Sequence, residues 1–422
     1  MTNTALSRLL TAPYRYAPLL LVSLTLGLAY GIWYAYSVFL VALLEEFNWS
    51  RSVLAGAFSV FAVVHGFSNP LVGTLCDRVR PPFLIGAGGI GITVALWYTS
   101  YIDSAFGLYL GFGGITALSV ALCGWVPAVV VVQRRYIHRL GFALGIVSAG
   151  IGVGMLVVVP ICQLLIDEVG WRVAYRVLGT VCGLFMLPTA TYLLVSRVHA
   201  VGKAKSFEEL SSGKETNPAV SITPRAAFTS PAFWLLFLAF FGGSTCSQTL
   251  HVHQVAFLVD HDISAIIAAS VVSVVGLSSI FGKVGGGWLS DKIAREIIFV
   301  FSTIILLSSI GVLFWVGETS SLMGAYVFGI LLGIGYSAVA AIMPAMMSDR
   351  FSGRYYGTIL GVGLLGSALG SAFGPWMAGA LFDATGSYTL PLLISAASGV
   401  FTLVCVLFAY KLRVAQQQSA ME

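Results

Sequence analysis

The chain contains 422 residues, of which 58% are hydrophobic and 9% are charged, and its formal net charge is +5. A soluble domain of average composition carries about a quarter of charged residues. This composition excludes an ordinary soluble globular protein and indicates a protein embedded in a membrane.

Twelve apolar stretches are long enough to cross a bilayer, because a spanning helix needs about 20 mostly apolar residues. The first six predicted spans lie at 17–44, 53–76, 82–102, 106–133, 140–166 and 173–196. The second six lie at 231–259, 265–290, 296–316, 321–348, 355–382 and 389–411. Span 1 exceeds the 7 to 15 apolar residues of a signal-peptide core, and no small-residue cleavage site follows it. We therefore expect span 1 to be retained in the mature protein.

The basic residues indicate how the spans are oriented. If both termini are cytoplasmic, eighteen Lys and Arg residues fall on the cytoplasmic side and only Arg51, Arg172 and Arg176 on the other. Cytoplasmic loops are the ones enriched in Lys and Arg. The sequence predicts a multi-pass protein of the inner (cytoplasmic) membrane with both termini inside. The net positive charge then reflects topology and does not predict a nucleic-acid partner.

The two halves of the chain repeat each other. A shift of 214 positions places Gly73 on Gly287 and Asp77 on Asp291, and a shift of 216 places Gly170 on Gly386. The longest polar stretch lies between the halves. We predict an N-terminal six-helix bundle at 1–196, a cytoplasmic linker at 197–229 and a C-terminal six-helix bundle at 230–422. Such parallel repeats permit rocking around a site near the middle of the bilayer.

The pattern G-x-x-x-D-[RK] occurs once in each half, where an apolar run meets the cytoplasm. It covers Gly73 to Arg78 and Gly287 to Lys292. Glycine allows close approach of helices, and an aspartate can accept from a helix N-terminus or pair with arginine across a closed gate. We predict that the inner gate is formed by Asp77, Arg78, Asp291 and Lys292.

With this motif in both halves, the chain resembles the major facilitator superfamily. The first copy departs from the family pattern after Arg78, where Pro81 and Pro82 replace basic residues. The resemblance implies an all-α membrane protein with twelve transmembrane helices in two pseudo-symmetric six-helix bundles. The segments Glu46 to Arg51, Gly170 to Arg172 and Phe257 to Asp260 look like those of the monocarboxylate and oxalate:formate antiporter branch. Members of that branch carry small organic anions, with a proton or by exchange.

Lys283 is the one formal charge that the sequence places inside a span, since all seventeen acidic residues fall in loops, termini or helix ends. A charge at this depth costs at least about 2.5 kcal/mol and marks a transport pathway by default. In the related carriers, span 8 holds a basic residue that pairs with the substrate carboxylate, and Lys283 lies where that residue would fall. The second intramembrane Lys expected in span 11 of oxalate carriers is absent, which favours a monoanion.

Two alternatives for Lys283 stay open. It lies seven residues before the end of span 8, about 11 Å at 1.5 Å per residue, so its ammonium could snorkel to the interface. It could also pair with a loop carboxylate, for which Asp260 is the candidate.

Six further residues are candidates to bind the substrate. Gln248 and His251 are three positions apart and share one face of span 7. The resemblance implies that spans 1, 4, 7 and 10 line the cavity, and aromatic walls with polar tips suit an organic anion. The candidates are Tyr30, Tyr34, Asn69, Gln248, His251 and Tyr336. Packing and interhelical hydrogen bonding are the alternatives for each.

Proton coupling has two candidates, His65 and Asp260. The 214-residue shift places Ser279 on His65 and Lys283 on Asn69. His65 and Asn69 are four residues apart, as are Ser279 and Lys283, so the two members of each half share one helix face. Histidine titrates near neutral pH and could relay protons. A structural hydrogen bond is the alternative for His65, and capping at the Pro70 kink is the alternative for Asn69.

These patterns together predict a secondary active transporter for a small organic anion, either proton-coupled or exchanging. No nucleotide-binding loop, nucleophile elbow or carboxylate cluster is present, and the six cysteines lack the close spacing of a metal site. We therefore predict no enzymatic activity, no cofactor, no metal and a monomer in the bilayer. A carrier of a neutral or larger solute, or a membrane sensor that does not transport, remains an alternative.

Overall fold

The computed structural model describes residues 3–135, 140–195, 222–290, 292–351 and 356–419. Within these residues every regular element is a helix. The elements of the first half are α1 (Asn3–Phe47), α2 (Arg51–Arg78), α3 (Pro81–Thr99), α4 (Ala105–Leu108), a π-helix (Tyr109–Thr116), α5 (Ala117–Cys123), α6 (Trp125–Arg135) and α7 (Leu140–Val195). Those of the second half are α8 (Pro224–Thr229), α9 (Pro231–Asp260), α10 (Ala265–Ser290), α11 (Arg295–Thr319), α12 (Leu322–Phe351), α13 (Tyr356–Thr385) and α14 (Thr389–Ser419).

The helices confirm a multi-pass membrane protein but not the number of crossings. The described residues contain 10 helical stretches long and apolar enough to span a bilayer. One of them, Ile146–Val195, covers predicted spans 5 and 6, and Gly170 interrupts its helical backbone. Predicted span 10 corresponds to α12, whose apolar stretch Leu322–Ser337 is shorter. The twelve spans and the two six-helix bundles therefore stay a prediction.

The backbone supports the internal repeat. Asn48 and Asp262, which are 214 positions apart, both have positive φ, at 52° and 63°. Gly170 and Gly386, which are 216 positions apart, have φ of 81° and 67°. Residues other than Gly, Asn and Asp rarely adopt this region, so both repeats place a permissive residue at the same kind of helix connection.

The described chain divides into two compact units. Unit 1 contains residues 3–35 and 68–195, and unit 2 contains residues 36–67 and 222–419. The non-cytoplasmic ends of α1 and α2, as the predicted topology orients them, thus group with the helices of the second half. The linker predicted at 197–229 lies mostly outside the described residues, and its boundaries and those of the predicted bundles stay a prediction.

In unit 1, α1 and α7 approach each other at glycines. A side chain on Gly154 would collide with the backbone of Gly27, and one on Gly150 with the backbone of Ser23. The hydroxyl of Ser23 donates to the carbonyl of Ile146 across the same contact at 3.0 Å. Small residues allow this approach, which gives packing and hydrogen bonding where the bilayer provides no hydrophobic drive for association.

In unit 2, α2 lies along α13 through small residues. The hydroxyl of Ser59 donates to the carbonyl of Ala372 at 2.5 Å, and a side chain on Gly66 would collide with Ala368. A separate apolar core joins α9, α11, α12 and α14 and contains Phe233, Phe240, Phe299, Met343, Met347 and Cys405. The contact between α2 and α13 brings the N-terminus of α2 against the second half.

Candidate functional site

Lys283 is partly buried and faces Tyr336 of α12. Its Nζ donates to the Tyr336 hydroxyl at 3.5 Å and lies 5.4 Å from the centroid of the ring. Among the described residues, no carboxylate forms an ion pair with Lys283. The sequence alternative in which Asp260 neutralises Lys283 is wrong for this structure, because Asp260 pairs with Arg51.

Close packing of α10 on α12 holds this pair in place. The hydroxyl of Ser337 donates to the carbonyls of Gly333 at 2.6 Å and of Ser279 at 3.1 Å. A side chain on Gly282 would collide with Ser337, and one on Gly333 would collide with Ser278. The short distance between the two helices is what lets Lys283 reach a tyrosine on its neighbour.

His251 of α9 also packs against Tyr336. The two rings meet edge to face, with centroids 4.6 Å apart at 79°. Nδ1 of His251 lies 2.7 Å from the carbonyl of Ser247, and a carbonyl can only accept, so Nδ1 carries the proton. The structure thus brings Lys283, Tyr336 and His251 together, with the lysine ammonium and the imidazole ring both close to one phenol.

The other predicted substrate residues are not part of this cluster. Gln248 is partly buried one turn before His251, and its Oε1 has no hydrogen-bond partner among the described residues. Tyr30, Tyr34 and Asn69 belong to unit 1, where the Tyr30 ring stacks on Trp33 with centroids 6.0 Å apart. Their roles remain predictions.

The predicted gating residues are only partly described. The side chain of Asp77 and the whole of Asp291 lie outside the described residues. Arg78 is exposed at the end of α2, and Nζ of Lys292 lies 3.6 Å from the centroid of the Trp288 ring. No contact that would test the predicted inner gate is therefore described.

Of the proton-coupling candidates, His65 is buried in unit 2 and stacks on Phe61, with centroids 6.2 Å apart. Asp260 is the end residue of α9, and its Oδ1 accepts from Nη2 of Arg51 at 2.7 Å. Asp260 is thus an ion-pair partner in this structure, and both proton-coupling roles stay predictions. Among the described residues, no group of three or more His, Cys, Asp or Glu could hold a metal ion.

Arg51 is the centre of a polar network at the N-terminus of α2. Besides its bond to Asp260, its Nη1 donates to the hydroxyl of Tyr388 at 2.6 Å, and its guanidinium carbon lies 4.0 Å from the centroid of the Phe382 ring. The backbone amides of Arg51 and Ser52 donate to the two carboxylate oxygens of Asp383, both at 2.8 Å. Asp383 therefore caps α2 from another helix, where a negative charge also complements the helix dipole.

Tyr388 continues this network into the interior. Nε2 of His253 lies 2.9 Å from the carbonyl of Pro375, so Nε2 must donate and a neutral ring accepts at Nδ1. The Tyr388 hydroxyl lies 3.0 Å from that Nδ1 and donates to it while accepting from Arg51. Burial raises the pKa of Tyr388 above its ordinary value, which keeps this phenol protonated as a donor. We call Arg51, Asp260, Asp383, Tyr388 and His253 the Arg51 network.

Sequence reasoning named Asp260 as a proton-coupling candidate but did not predict the network. One signal was available, because Arg51 is one of only three basic residues that the predicted topology leaves on the non-cytoplasmic side. A basic residue on that side runs against the general loop bias. Asp383 carried a second signal, since the repeat pairs it with Asp167, but no sequence pattern places Asp383 at the N-terminus of α2.

Comparisons with known proteins agree on a transporter family. A profile described as Major Facilitator Superfamily matches residues 22–363 and, in an overlapping match, residues 254–420. Monocarboxylate transporter 12 of Homo sapiens is 26% identical over 404 residues, covering 88% of this chain and 76% of the relative. Monocarboxylate transporter 13 of Rattus norvegicus is 25% identical over 376 residues, covering 88% of this chain and 83% of the relative.

Solved structures show the same fold. A crystal structure of a bacterial homologue of the human lysosomal transporter Spinster, inward-facing and unoccupied, superposes with a TM-score of 0.69. It shares 19% sequence identity and covers 94% of this chain and 96% of the other. The occupied form of the same homologue gives a TM-score of 0.70.

Proposed function

This chain belongs to the Major Facilitator Superfamily of membrane transporters, and we propose that it carries a small monocarboxylate-like anion across the inner membrane. Transport would proceed by alternating access and be driven by proton coupling or by exchange. The observation that carries the proposal is Lys283, whose ammonium faces Tyr336 within a span and has no described carboxylate as an ion-pair partner.

The electrostatics of this cluster favour an anion. Holding an ammonium at this depth is costly unless it has a partner, and the Tyr336 hydroxyl at 3.5 Å is a neutral and distant one. A carboxylate can accept from the Lys283 ammonium and also from the phenol, which replaces a weak contact with two charge-assisted hydrogen bonds. The names of the relatives, monocarboxylate transporters 12 and 13, support the same class of substrate.

The choice of lysine favours a monoanion. A single ammonium is a point charge with three donors, whereas an arginine offers a planar fork that binds carboxylates in bidentate geometry. One lysine neutralises one negative charge. The His251 ring and the phenol of Tyr336 lie beside it and offer both apolar and polar surface, which suits a carboxylate with a short organic body.

The Arg51 network supports alternating access. It joins the N-terminus of α2 to the ends of α9 and α13, all of which the predicted topology places on the non-cytoplasmic side. Opening that side would move α2 away from α9 and α13, so the bonds from Arg51 to Asp260 and Asp383 would break. We propose that the network is the outer gate, meaning the set of contacts that keeps the non-cytoplasmic side closed.

The proposal is tested by ligand binding to the purified chain. A panel of mono- and dicarboxylates is added to the wild type, to Lys283→Gln and to the control Lys411→Gln, and the melting temperature is measured. A ligand that binds only the folded state raises this temperature. We expect one or more monocarboxylates to stabilise the wild type and Lys411→Gln but not Lys283→Gln, and the same anions to be taken up by proteoliposomes in a Lys283-dependent manner.

Two outcomes would overturn the assignment. No stabilisation by any anion, or equal stabilisation of Lys283→Gln, would make Lys283 structural and favour a neutral solute. Binding that depends on Lys283 without flux into proteoliposomes would instead favour a sensor.

A further inference from the structure

Each unit contains an open crevice, near the predicted cytoplasmic end of α2 in unit 1 and of α10 in unit 2. In unit 1, a crevice of about 410 Å³ lies between α2 and α5 and is lined by Leu71, Val72, Leu75, Arg78 and Leu118. In unit 2, a crevice of about 360 Å³ lies between α10, α11 and α12, and its walls include Gly285, Gly286, Leu289, Ile297 and Ile334.

The two crevices are related by the internal repeat. The 214-residue shift places Ser68, Leu71, Val72 and Leu75 on Gly282, Gly285, Gly286 and Leu289, and all eight residues line a crevice. The second wall also corresponds, since α5 belongs to span 4 and α12 to its counterpart, span 10. A feature found at equivalent positions of both halves is a property of the repeat.

The walls of both crevices contain large apolar side chains that are exposed. Leu71 is 70% exposed and Phe281 is 69% exposed, and both lie within helical stretches long and apolar enough to span a bilayer. In unit 2, a Cβ added to Gly285 would meet no atom within 4 Å, so the α10 wall is open. At this depth in a membrane, the molecule that fits an exposed apolar crevice is a lipid acyl chain.

A basic residue stands at the predicted cytoplasmic end of α2, and another stands just beyond that of α10. Arg78 is exposed and lines the crevice of unit 1. Lys292 occupies the equivalent position in unit 2, next to the lining residue Ile293, with its Nζ above the Trp288 ring. Basic residues at the cytoplasmic surface attract anionic lipid headgroups, and an aromatic ring at the interface anchors such a site.

We propose that each crevice binds an anionic phospholipid, with an acyl chain between the helices and its phosphate against Arg78 or Lys292. This assigns the basic residue of the repeated G-x-x-x-D-[RK] motif a lipid ligand. The inference is independent of which solute the protein carries, because neither Lys283 nor the Arg51 network contributes to a crevice.

The test compares two lipids on the purified full-length chain. Phosphatidylglycerol or phosphatidylcholine of identical acyl composition is titrated, and binding is measured by thermal shift and by quenching of tryptophan fluorescence with brominated acyl chains. We expect phosphatidylglycerol to bind more tightly than phosphatidylcholine. Arg78→Gln and Lys292→Gln should each lower the ratio of the two affinities by about fivefold. Trp288→Phe should reduce the quenching of tryptophan fluorescence. Glycerol phosphate, which lacks acyl chains, should not stabilise the protein.

Matched variants separate a site from general attraction. Lys411→Gln removes another exposed cation near the cytoplasmic end of a helix and should leave the preference unchanged. Gly285→Leu fills the crevice of unit 2 and should weaken binding. Gly311→Leu adds the same side chain at an open position of α11, away from the crevice lining, and should not weaken it. The proposal is overturned if both lipids bind equally, or if the double variant Arg78→Gln, Lys292→Gln keeps the preference for phosphatidylglycerol. It is also overturned if Lys411→Gln reduces the preference as much as Arg78→Gln or Lys292→Gln, or if Gly311→Leu weakens binding as much as Gly285→Leu.

Discussion

Nη2 of Arg51 lies 2.7 Å from Oδ1 of Asp260, although the two residues are 209 positions apart and come from different halves of the sequence. The side chains are 13% and 31% exposed, so the pair is screened less than a surface ion pair. Breaking a fully buried pair costs about 3 to 5 kcal/mol, and an exposed pair contributes about 0 to 1 kcal/mol. The contribution of this pair should lie between these limits.

We expect a double-mutant cycle on Arg51→Gln and Asp260→Asn to show coupling of about 1 to 3 kcal/mol. The measurement is the free energy of unfolding in detergent for the wild type, both single variants and the double variant. Arg172→Gln with Asp103→Asn provides the control, because Asp103 is 85% exposed in that pair and the coupling should be near zero. Equal coupling in both cycles would contradict a special role for Arg51.

If the Arg51 network is the outer gate, weakening it should expose the contact between α2 and α13 to solvent. The variant Ser59→Cys places a thiol at this contact, and all six native cysteines are buried. A membrane-impermeant maleimide should label Ser59→Cys slowly, and several times faster when Asp260→Asn is added. A control thiol at exposed Ser387 should label at the same rate in both backgrounds. Unchanged labelling of Ser59→Cys would show that Asp260 does not hold this side closed.

The Tyr388 hydroxyl accepts from Arg51 and donates to His253, so Tyr388→Phe should remove two hydrogen bonds and lower the free energy of unfolding by about 1 to 3 kcal/mol. Burial raises the pKa of Tyr388 above its ordinary value. The stabilisation is therefore fully present below about pH 10, the pKa of a free phenol, and is lost as the pH rises through the folded-state pKa. The stability difference between the wild type and Tyr388→Phe should be the same at pH 7 and pH 9, and a difference that shrinks over this range would contradict the assignment.

Hydrophobic patterning was sufficient to predict the helical membrane fold, because every span must satisfy its backbone hydrogen bonds internally. The repeat was equally visible, and the positive φ of Asn48, Asp262, Gly170 and Gly386 supports it. The connection between predicted spans 5 and 6 was harder to predict. It is not a loop, because α7 is helical on both sides of Gly170 and only that glycine has non-helical backbone angles.

The site was predictable to the extent that charge in a membrane is rare. Lys283 stood out for that reason, and Tyr336 and His251 were selected as aromatic or polar residues on spans expected to line a cavity. The contact between Lys283 and Tyr336 depends on the distance between α10 and α12, which Gly282 and Gly333 set. The Arg51 network depends on contacts between residues 135 to 337 positions apart, which a single sequence does not encode in any periodic pattern.

The Lys283 cluster makes a prediction about its phenol. Tyr336→Phe keeps the ring beside His251 and beneath the Lys283 ammonium but removes the hydroxyl. A hydrogen bond of this kind contributes about 0.5 to 1.5 kcal/mol, so the dissociation constant of the bound monocarboxylate should rise by about twofold to tenfold. Isothermal titration would measure it, with Tyr326→Phe as the control because that hydroxyl bonds to Ser270 instead. Loss of binding as complete as in Lys283→Gln would contradict this modest contribution, because it would make the phenol as essential to recognition as the ammonium.

The crossing of α1 and α7 makes a prediction about stability that is independent of the substrate. A methyl group at Gly154 would collide with the carbonyl of Gly27, and backbone cannot move aside as the end of a side chain can. Overpacking of this kind costs about 1 to 3 kcal/mol, so Gly154→Ala should lower the melting temperature clearly. The matched control is Gly311→Ala in α11, where a methyl group meets no atom within 4 Å, and alanine should there be neutral or slightly stabilising because it favours helix. Similar melting temperatures for the two variants would mean that α1 and α7 do not pack as closely as the structure describes.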